Sequence, residues 1–387
     1  MALRVGINGL GRIGRALVRI AHERAELGVE VVAANDAAGT RAIARLLAHD
    51  TVHGRFPGEV AGDDGHLTVG GRTFPVSHAT SPEAIDWGAA GVEIVVEATG
   101  RFRRREAAQL HLGGPVRRVV VSATLPDADA TFCVGINERS FDPARHAVVS
   151  NASCTTNCLA ATLAALVESF GVERALMNTV HCVTNSQNLV DNAHLDARRA
   201  RAAIANIIPT TSDAIPSIGW VMPGLAGRVE GLATRVPIVA GSLVDLVVEL
   251  ARGATRAQVA EAFRAAEHGG LAGILGTTDE ELVSADATAS GASSPGTTTS
   301  GATPTAWPSC SPTWRAPAAE RPSHRPVPRY TSAGSRIRAT FRATGRQERR
   351  RDPEARSPAC EGGPACAPLA LRLSSPSPSW RAPPSTR

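Results

Sequence analysis

Apolar and polar positions in the first 150 residues alternate so as to predict strands and helices in turn. Leu3 to Asn8 is an apolar run stopped by glycines, and Arg12 to Arg24 has helical spacing. Val29 to Ala34 predicts a second buried strand, closed by Asn35 and Asp36. Later β-branched runs lie at Val92 to Val96, Val116 to Val121 and His146 to Val149. Such alternation predicts a parallel sheet flanked by helices. From Cys154 onward the pattern changes. The alanine-rich stretch Leu159 to Phe170 predicts one helix. Strand-like runs follow at Ala175 to Val183, Gly231 to Ile238 and Ser242 to Leu250, with a further helix at Arg256 to His268. This predicts a second, α+β domain. After Asp286 the character breaks. Residues 287–387 carry 16 of the 26 prolines but only six Val, Ile, Leu or Phe residues. So few cannot bury a core, and disorder is expected there. The expected domains are 1–152, 153–286 and a low-complexity tail, 287–387.

The loop after the first strand sharpens the first domain. Gly9, Gly11 and Gly14 fit G-x-G-x-x-G between a strand and a helix. The first glycine allows a tight turn, the second close approach of backbone to a pyrophosphate, and the third close helix–strand packing. Asp36 ends the second strand, where an acid binds the adenosine ribose hydroxyls and disfavours a 2′-phosphate. The reading is a Rossmann-type, doubly wound domain that binds NAD rather than NADP. In the second domain the run Ser150 to Cys158 sets Cys154 among small hydroxyl residues at a predicted helix start. Unpaired backbone N–H groups and the helix dipole favour an anion there, and so favour a nucleophilic thiolate. A small buried cysteine at a helix cap is the other reading of that setting alone.

Composition narrows the class. No apolar run reaches the roughly 18 residues of a membrane span, and the N-terminus lacks the pattern of a secretion signal. A soluble cytoplasmic protein is expected. The seven cysteines include no Cys-x-x-Cys pair, so no metal site is expected. The net charge of +5 is uneven: residues 287–387 hold 15 Arg against 5 Asp and Glu, and residues 1–286 hold 26 Arg against 31. The basic balance belongs to the tail. The chain has no lysine, which with its abundant Arg, Ala, Gly and Pro marks a GC-rich coding sequence.

Taken together, Gly6 to Gly14, the run around Cys154, Thr179-Val180-His181 and Arg198 to Ala202 resemble phosphorylating glyceraldehyde-3-phosphate dehydrogenase. Asp50 to Gly54 and Arg235-Val236-Pro237 do so too, and the likeness runs from residue 1 to about 286. The resemblance implies Cys154 as nucleophile, forming a thiohemiacetal and then a thioester, with His181 as general base. It implies cofactor contacts at Arg12, Ile13, Asp36 and Ser122. For glyceraldehyde 3-phosphate and inorganic phosphate it implies Ser153, Thr155, Thr184, Arg199, Ser212, Asp213 and Arg235. It further implies a homotetramer in which a segment from about Cys182 to Asn206 reaches a neighbouring cofactor site. Cys158, one helical turn beyond Cys154, reads as packing. Erythrose-4-phosphate dehydrogenase is the enzymatic alternative, but Thr184-Asn185 after His181 favours the glyceraldehyde enzyme. An inactive truncated homologue with a basic arm is the non-catalytic alternative, and nucleic-acid binding is not expected.

Some positions depart from the family pattern. Ser212-Asp213 stands where Thr-Gly is usual, and a carboxylate there repels phosphate unless it points away. Pro216 replaces a lysine, Ser186 an aspartate, and Thr80 an arginine near the adenine. The family's closing motif, Trp-Tyr-Asp-Asn-Glu-Trp-Gly-Tyr, is absent. Yet Gly296 to Pro308 can be back-translated, with synonymous third bases chosen freely, so that a frame shifted from the preceding Pro295 codon spells that motif and continues Ala-Asn-Arg-Val-Ala. The chain therefore reads as out of frame from near Ala287.

Overall fold

The computed structural model describes residues 2–286 and the backbone of Thr305 and Ala306. The expected disorder and frame shift of the tail lie outside the described residues. Two sheets carry the chain. The first has nine strands, and its centre is β1 (Leu3–Asn8), flanked by β2 (Val29–Asn35) and β8 (Ile94–Glu97). Beyond β8 lie β9 (Arg118–Val121), β11 (Val148–Ser150) and β10 (Ala130–Thr131), all parallel. Beyond β2 lies β7 (Arg72–Ser77), also parallel, followed by antiparallel β6 (His66–Val69) and β5 (Val60–Gly62). The parallel centre agrees with the apolar pattern; the antiparallel edge was not expected. Helices α1 (Arg12–Glu23) and α2 (Thr40–Ala48) cover the sheet, and a small hairpin, β3 (His49–Asp50) and β4 (Gly54–Arg55), follows α2. Ile7, Ile43, Leu47 and Leu67 are fully buried between them. The short α3 (Arg105–Ala108) lies between β8 and β9.

The second sheet has the order β13 (Ile208–Thr210), β14 (Val229–Arg235), β12 (Val172–His181), β15 (Leu243–Leu250). Its inner face packs on α4 (Cys154–Phe170), α5 (Ala214–Val221) and α6 (Arg256–His268). Ala and Leu dominate α4, both strong helix formers. The helix stops where Gly171 takes φ +71°. Leu159, Leu163 and Leu166 of α4 are enclosed with Met177, Val229 and Val248 of the sheet. A capping box at Thr255 and Gln258 starts α6 at the residue its spacing predicts. Past residue 286, the described backbone is β17 (Thr305–Ala306), parallel to β16 (Gly276–Thr277). Among the described residues, no helix is long and apolar enough to cross a membrane.

Leu163 has no exposed surface, so truncating it leaves a cavity between α4 and the sheet. Leu163→Ala is expected to cost about 2–5 kcal/mol in urea unfolding. A loss under about 1 kcal/mol would show that this core is loosely packed.

Candidate active site

The nucleotide crevice opens at the carboxyl ends of β1, β2, β7 and β8, where doubly wound sheets bind ligands. Asn8, Asp36, Thr80, Thr99, Arg101 and Phe102 line it, beside Gly9 and Gly11. Each glycine of the loop has its own reason. Gly9 takes φ +96°, and a Cβ there would stand 2.7 Å from the Thr99 backbone N. A Cβ on Gly14 would stand 2.0 Å from the Gly9 carbonyl oxygen. A Cβ on Gly11 would meet no protein atom within 4 Å. Gly9 and Gly14 therefore serve packing, whereas Gly11 leaves room for a ligand at the start of α1. A phosphate placed there faces the first N–H groups of the helix, those of Arg12 and Ile13. The Arg12 side chain turns away and donates to the Val239 carbonyl at 2.7 Å, tying the first sheet's lobe to the second.

Asp36 accepts from Leu10 N at 2.6 Å and from Ala38 N at 2.8 Å, one bond per oxygen. Each oxygen keeps a further acceptor position for a ribose hydroxyl. The donor set and the open space at Gly11 thus fit an adenine dinucleotide. Ser122 follows β9, bonds through its N–H to the Glu97 carbonyl at 3.0 Å, and is not among the residues lining the crevice. Asn8, Thr99, Arg101 and Phe102 were missed from sequence, although their place after parallel strands was a usable signal. Beneath them lies a buried polar network. Trp87 donates to His111 Nδ1 at 3.1 Å, which leaves the imidazole proton on Nε2, 3.2 Å from Glu97 Oε2. Asn8 donates to the same Oε2 at 2.6 Å, and Thr99 N to Oε1 at 2.9 Å. The crevice floor is thereby held rigid.

Cys154 is delivered by a strained turn. Between β11 and α4, Ala152 takes φ +55°, the one non-glycine residue with positive φ among the described residues. Ser150 Oγ accepts from Ala152 N at 3.0 Å, and Asn157 Nδ2 donates to the carbonyls of Asn151 and Ser153 at 3.0 Å each. Ser153 is the N-cap and accepts from Thr156 N at 3.0 Å. The sulfur of Cys154 then lies 3.2 Å from His181 Nε2, at the end of β12.

His181 is 3% exposed. Burial pulls its pKa down, but its hydrogen bonds with Cys154 and Cys182 and the charge on Cys154 outweigh burial and push it up to about 9. Its Nδ1 has neighbours with opposite demands. The Cys182 carbonyl at 2.8 Å accepts a proton, whereas Arg235 Nη1 at 2.6 Å brings one. Arg235 also donates to the Cys182 carbonyl at 3.0 Å. When Nδ1 is protonated, the imidazole donates to that carbonyl and Arg235 only crowds the ring, so its charge opposes the upward shift. By contrast, burial and the neighbouring Cys154 push the Cys158 thiol up to about 12, and burial does the same for Cys133. Neither is a competing nucleophile, and Cys158 fits the packing role.

The expected phosphate residues lie at the starts of α4 and α5, on β14, and in the segment between β12 and β13. Ser153 and Thr155 open α4. Thr156 Oγ1 lies 2.6 Å from Ser217 Oγ, which fixes the start of α5, with Ser212 and Asp213, beside them. Arg235 pairs with Ile208 across β14 and β13, and Arg199 donates to Thr210 Oγ1 at 3.1 and 3.0 Å. The charges of Cys154, Arg199 and Asp213 all act on Arg235. Thr184 lies two residues beyond Cys182, with its hydroxyl 2.8 Å from that of Ser186. Asp213 is bonded to Arg103 Nη2 at 2.6 Å. The described residues hold no group of three or more His, Cys, Asp or Glu able to bind a metal.

Residues 3–105 match the family profile described as glyceraldehyde 3-phosphate dehydrogenase, NAD binding domain. Residues 153–306 match that family's C-terminal domain. Glyceraldehyde-3-phosphate dehydrogenase 1 of Bacillus cereus is 47% identical over 283 residues, 73% of this chain and 84% of the relative. The Streptomyces coelicolor glyceraldehyde-3-phosphate dehydrogenase is 46% identical over 294 residues, 76% and 87% of the two chains.

Two measurements probe this geometry. The stabilisation His181 gains from its raised pKa is complete below its ordinary 6.5 and is lost as pH rises through about 9. The stability difference between the wild type and His181→Asn should therefore be largest near pH 6 and shrink, by on the order of 1–3 kcal/mol, towards pH 9.5. A difference that is flat or grows with pH contradicts the ion-pair geometry. The same methyl group placed at two glycines should act differently. Gly14→Ala should destabilise the fold by at least about 1–3 kcal/mol. Gly11→Ala should leave the melting temperature in place yet weaken NAD binding about tenfold, read by calorimetry.

Proposed function

Because the chain belongs to the glyceraldehyde-3-phosphate dehydrogenase family, as an NAD-dependent oxidoreductase of glycolysis, we propose that it oxidises glyceraldehyde 3-phosphate with inorganic phosphate to 1,3-bisphosphoglycerate. The observation that carries this reading is the 3.2 Å contact between the Cys154 sulfur and His181 Nε2. The Cys154 thiolate adds to the aldehyde carbon, and the carbonyl oxygen takes its proton from His181, giving a thiohemiacetal. His181 takes that proton back as the carbon is oxidised to the thioester. Bound NAD supplies the hydride acceptor, held by the α1 start and Asp36. Inorganic phosphate then attacks the thioester carbonyl, and the Cys154 thiolate leaves.

The anion-binding side of the site supports this chemistry. Arg199 and Arg235 bring forked donors, which suit phosphate oxygens. Ser153, Thr155, Thr184 and Ser212 add hydroxyls, and Asp213 borders the same group. We place Ser122 on the cofactor side by family likeness alone.

We further infer a cytoplasmic homotetramer. Leu189, Val190, Leu195, Ile204 and Ile207 are exposed in the segment after Thr184, and Leu176, Leu232 and Val247 are exposed on the outer face of the second sheet. Apolar surface on that scale favours burial against further copies of the chain. Sedimentation of a stable monomer would contradict the assembly.

The full chain should reduce NAD with glyceraldehyde 3-phosphate only when phosphate or arsenate is present, beyond a first turnover. Cys154→Ser should abolish the reaction, and His181→Asn should slow it by about 10²–10⁴-fold. A higher kcat/KM for erythrose 4-phosphate would reassign the substrate. No reduction at all, from a folded chain that binds NAD, would establish the inactive-homologue alternative.

A further inference from the structure

Asp213 poses an electrostatic problem at the anion site. It is the N-cap of α5 but makes no capping bond with its side chain. It adjoins Ser212, and its charge reaches Arg235. A phosphate dianion drawn to Arg199 and Arg235 therefore meets a carboxylate as well. That carboxylate is engaged elsewhere: its Oδ2 accepts from Nη2 of Arg103 at 2.6 Å. Arg103 comes from the first sheet's lobe, between β8 and α3, and directly follows Arg101 and Phe102 of the nucleotide crevice.

We propose that Arg103 is a positioning residue for inorganic phosphate: by pairing with Asp213 across the two lobes, it cancels that carboxylate's charge and turns it aside from the anion. The proposal rests on the phosphorylating reading above. The side chains of Arg103 and Asp213 are 48% and 56% exposed, and exposed pairs add little to stability. The effect falls instead on the ligand. Losing Arg103 frees the Asp213 carboxylate to swing towards the anion, and a dianion feels that charge twice over. The 2.6 Å separation is that of a short, charge-assisted bond.

The test uses the full-length chain at low salt, with inorganic phosphate binding followed by ³¹P NMR and, in turnover, by KM for phosphate. Arg103→Ala should weaken phosphate about 3- to 10-fold, leave the melting temperature unchanged, and leave the first-turnover burst of NADH without phosphate at full amplitude. Arg103→Lys should restore much of the affinity. In an Asp213→Asn background, Arg103→Ala should weaken phosphate clearly less than it does in the wild type. An equal loss in that background would mean that Arg103 touches the anion directly, and would overturn the proposal. So would an unchanged affinity in Arg103→Ala while the wild type binds phosphate and turns over with it. A folded wild type that neither binds phosphate nor needs it for turnover overturns the phosphorylating reading, and this proposal with it.

Discussion

Everything at the site depends on how the chain crosses from β11 to α4. Ser150 still belongs to the first sheet, and Cys154 already begins the central helix of the second lobe. Three residues make the change of direction, and one of them, Ala152, does so with left-handed backbone. Such a conformation costs about 1–3 kcal/mol for a residue with a side chain. It persists because Ser150 and Asn157 bond the turn's backbone and because Leu159, Leu163 and Leu166 are enclosed behind it. The packing of α4 therefore holds the thiol in place. His181 answers to the same core, since Met177, on the same strand, packs against those leucines. The 3.2 Å contact is thus fixed from both sides by one set of buried side chains.

This explains which parts of the molecule could be read from the sequence. Elements with an unbroken apolar run or regular helical spacing announce themselves: β1 and α6 coincide with their predicted bounds, and α1 falls within one residue. The runs starting at Val92 and Val116 begin earlier than β8 and β9 do. Apolar content marks burial, not the start of a hydrogen-bonded ladder. The β5 to β7 edge was missed because strands of three to six residues, half of them facing solvent, carry little periodic signal. Helix α5 was obscured by Pro216, which its first turn tolerates because the early N–H groups have no helical acceptor anyway.

The candidate site divides along the same line. The glycine loop, Asp36 and Cys154 were legible because each lies at a local signature, a strand end or a helix start, that the apolar pattern marks. The pairing of Arg103 with Asp213 spans 110 positions and no local rule foretells it. Neither does any local rule place the Arg12 guanidinium on the Val239 carbonyl instead of on a ligand. In sequence, Asp213 is simply a carboxylate where an anion should bind. In the folded chain its sign is answered by an arginine from the other lobe.

The absence of lysine gives the proposed anion site a particular character. Every fixed positive side chain in it is a guanidinium, which keeps its charge when half-buried and offers five donors in a fixed plane. Arg199 spends donors on Thr210, and Arg235 on the Cys182 carbonyl. A lysine held by one such bond would keep its charge but lose its fixed direction, because its donors rotate about a single nitrogen. An arginine held by one edge still presents the other edge in a known orientation. These bonds, with the Asp196 carboxylate beside Arg199 at 3.5 Å, thus aim the guanidiniums before an anion arrives, and less freedom is lost when it does. The same rigidity makes the site sensitive to stray charge, because a cation that cannot swing away cannot relieve repulsion from a nearby carboxylate. An unpartnered Asp213 beside such guanidiniums would oppose any anion drawn to them. A pair across the lobes removes that opposition without disturbing the donors on either side.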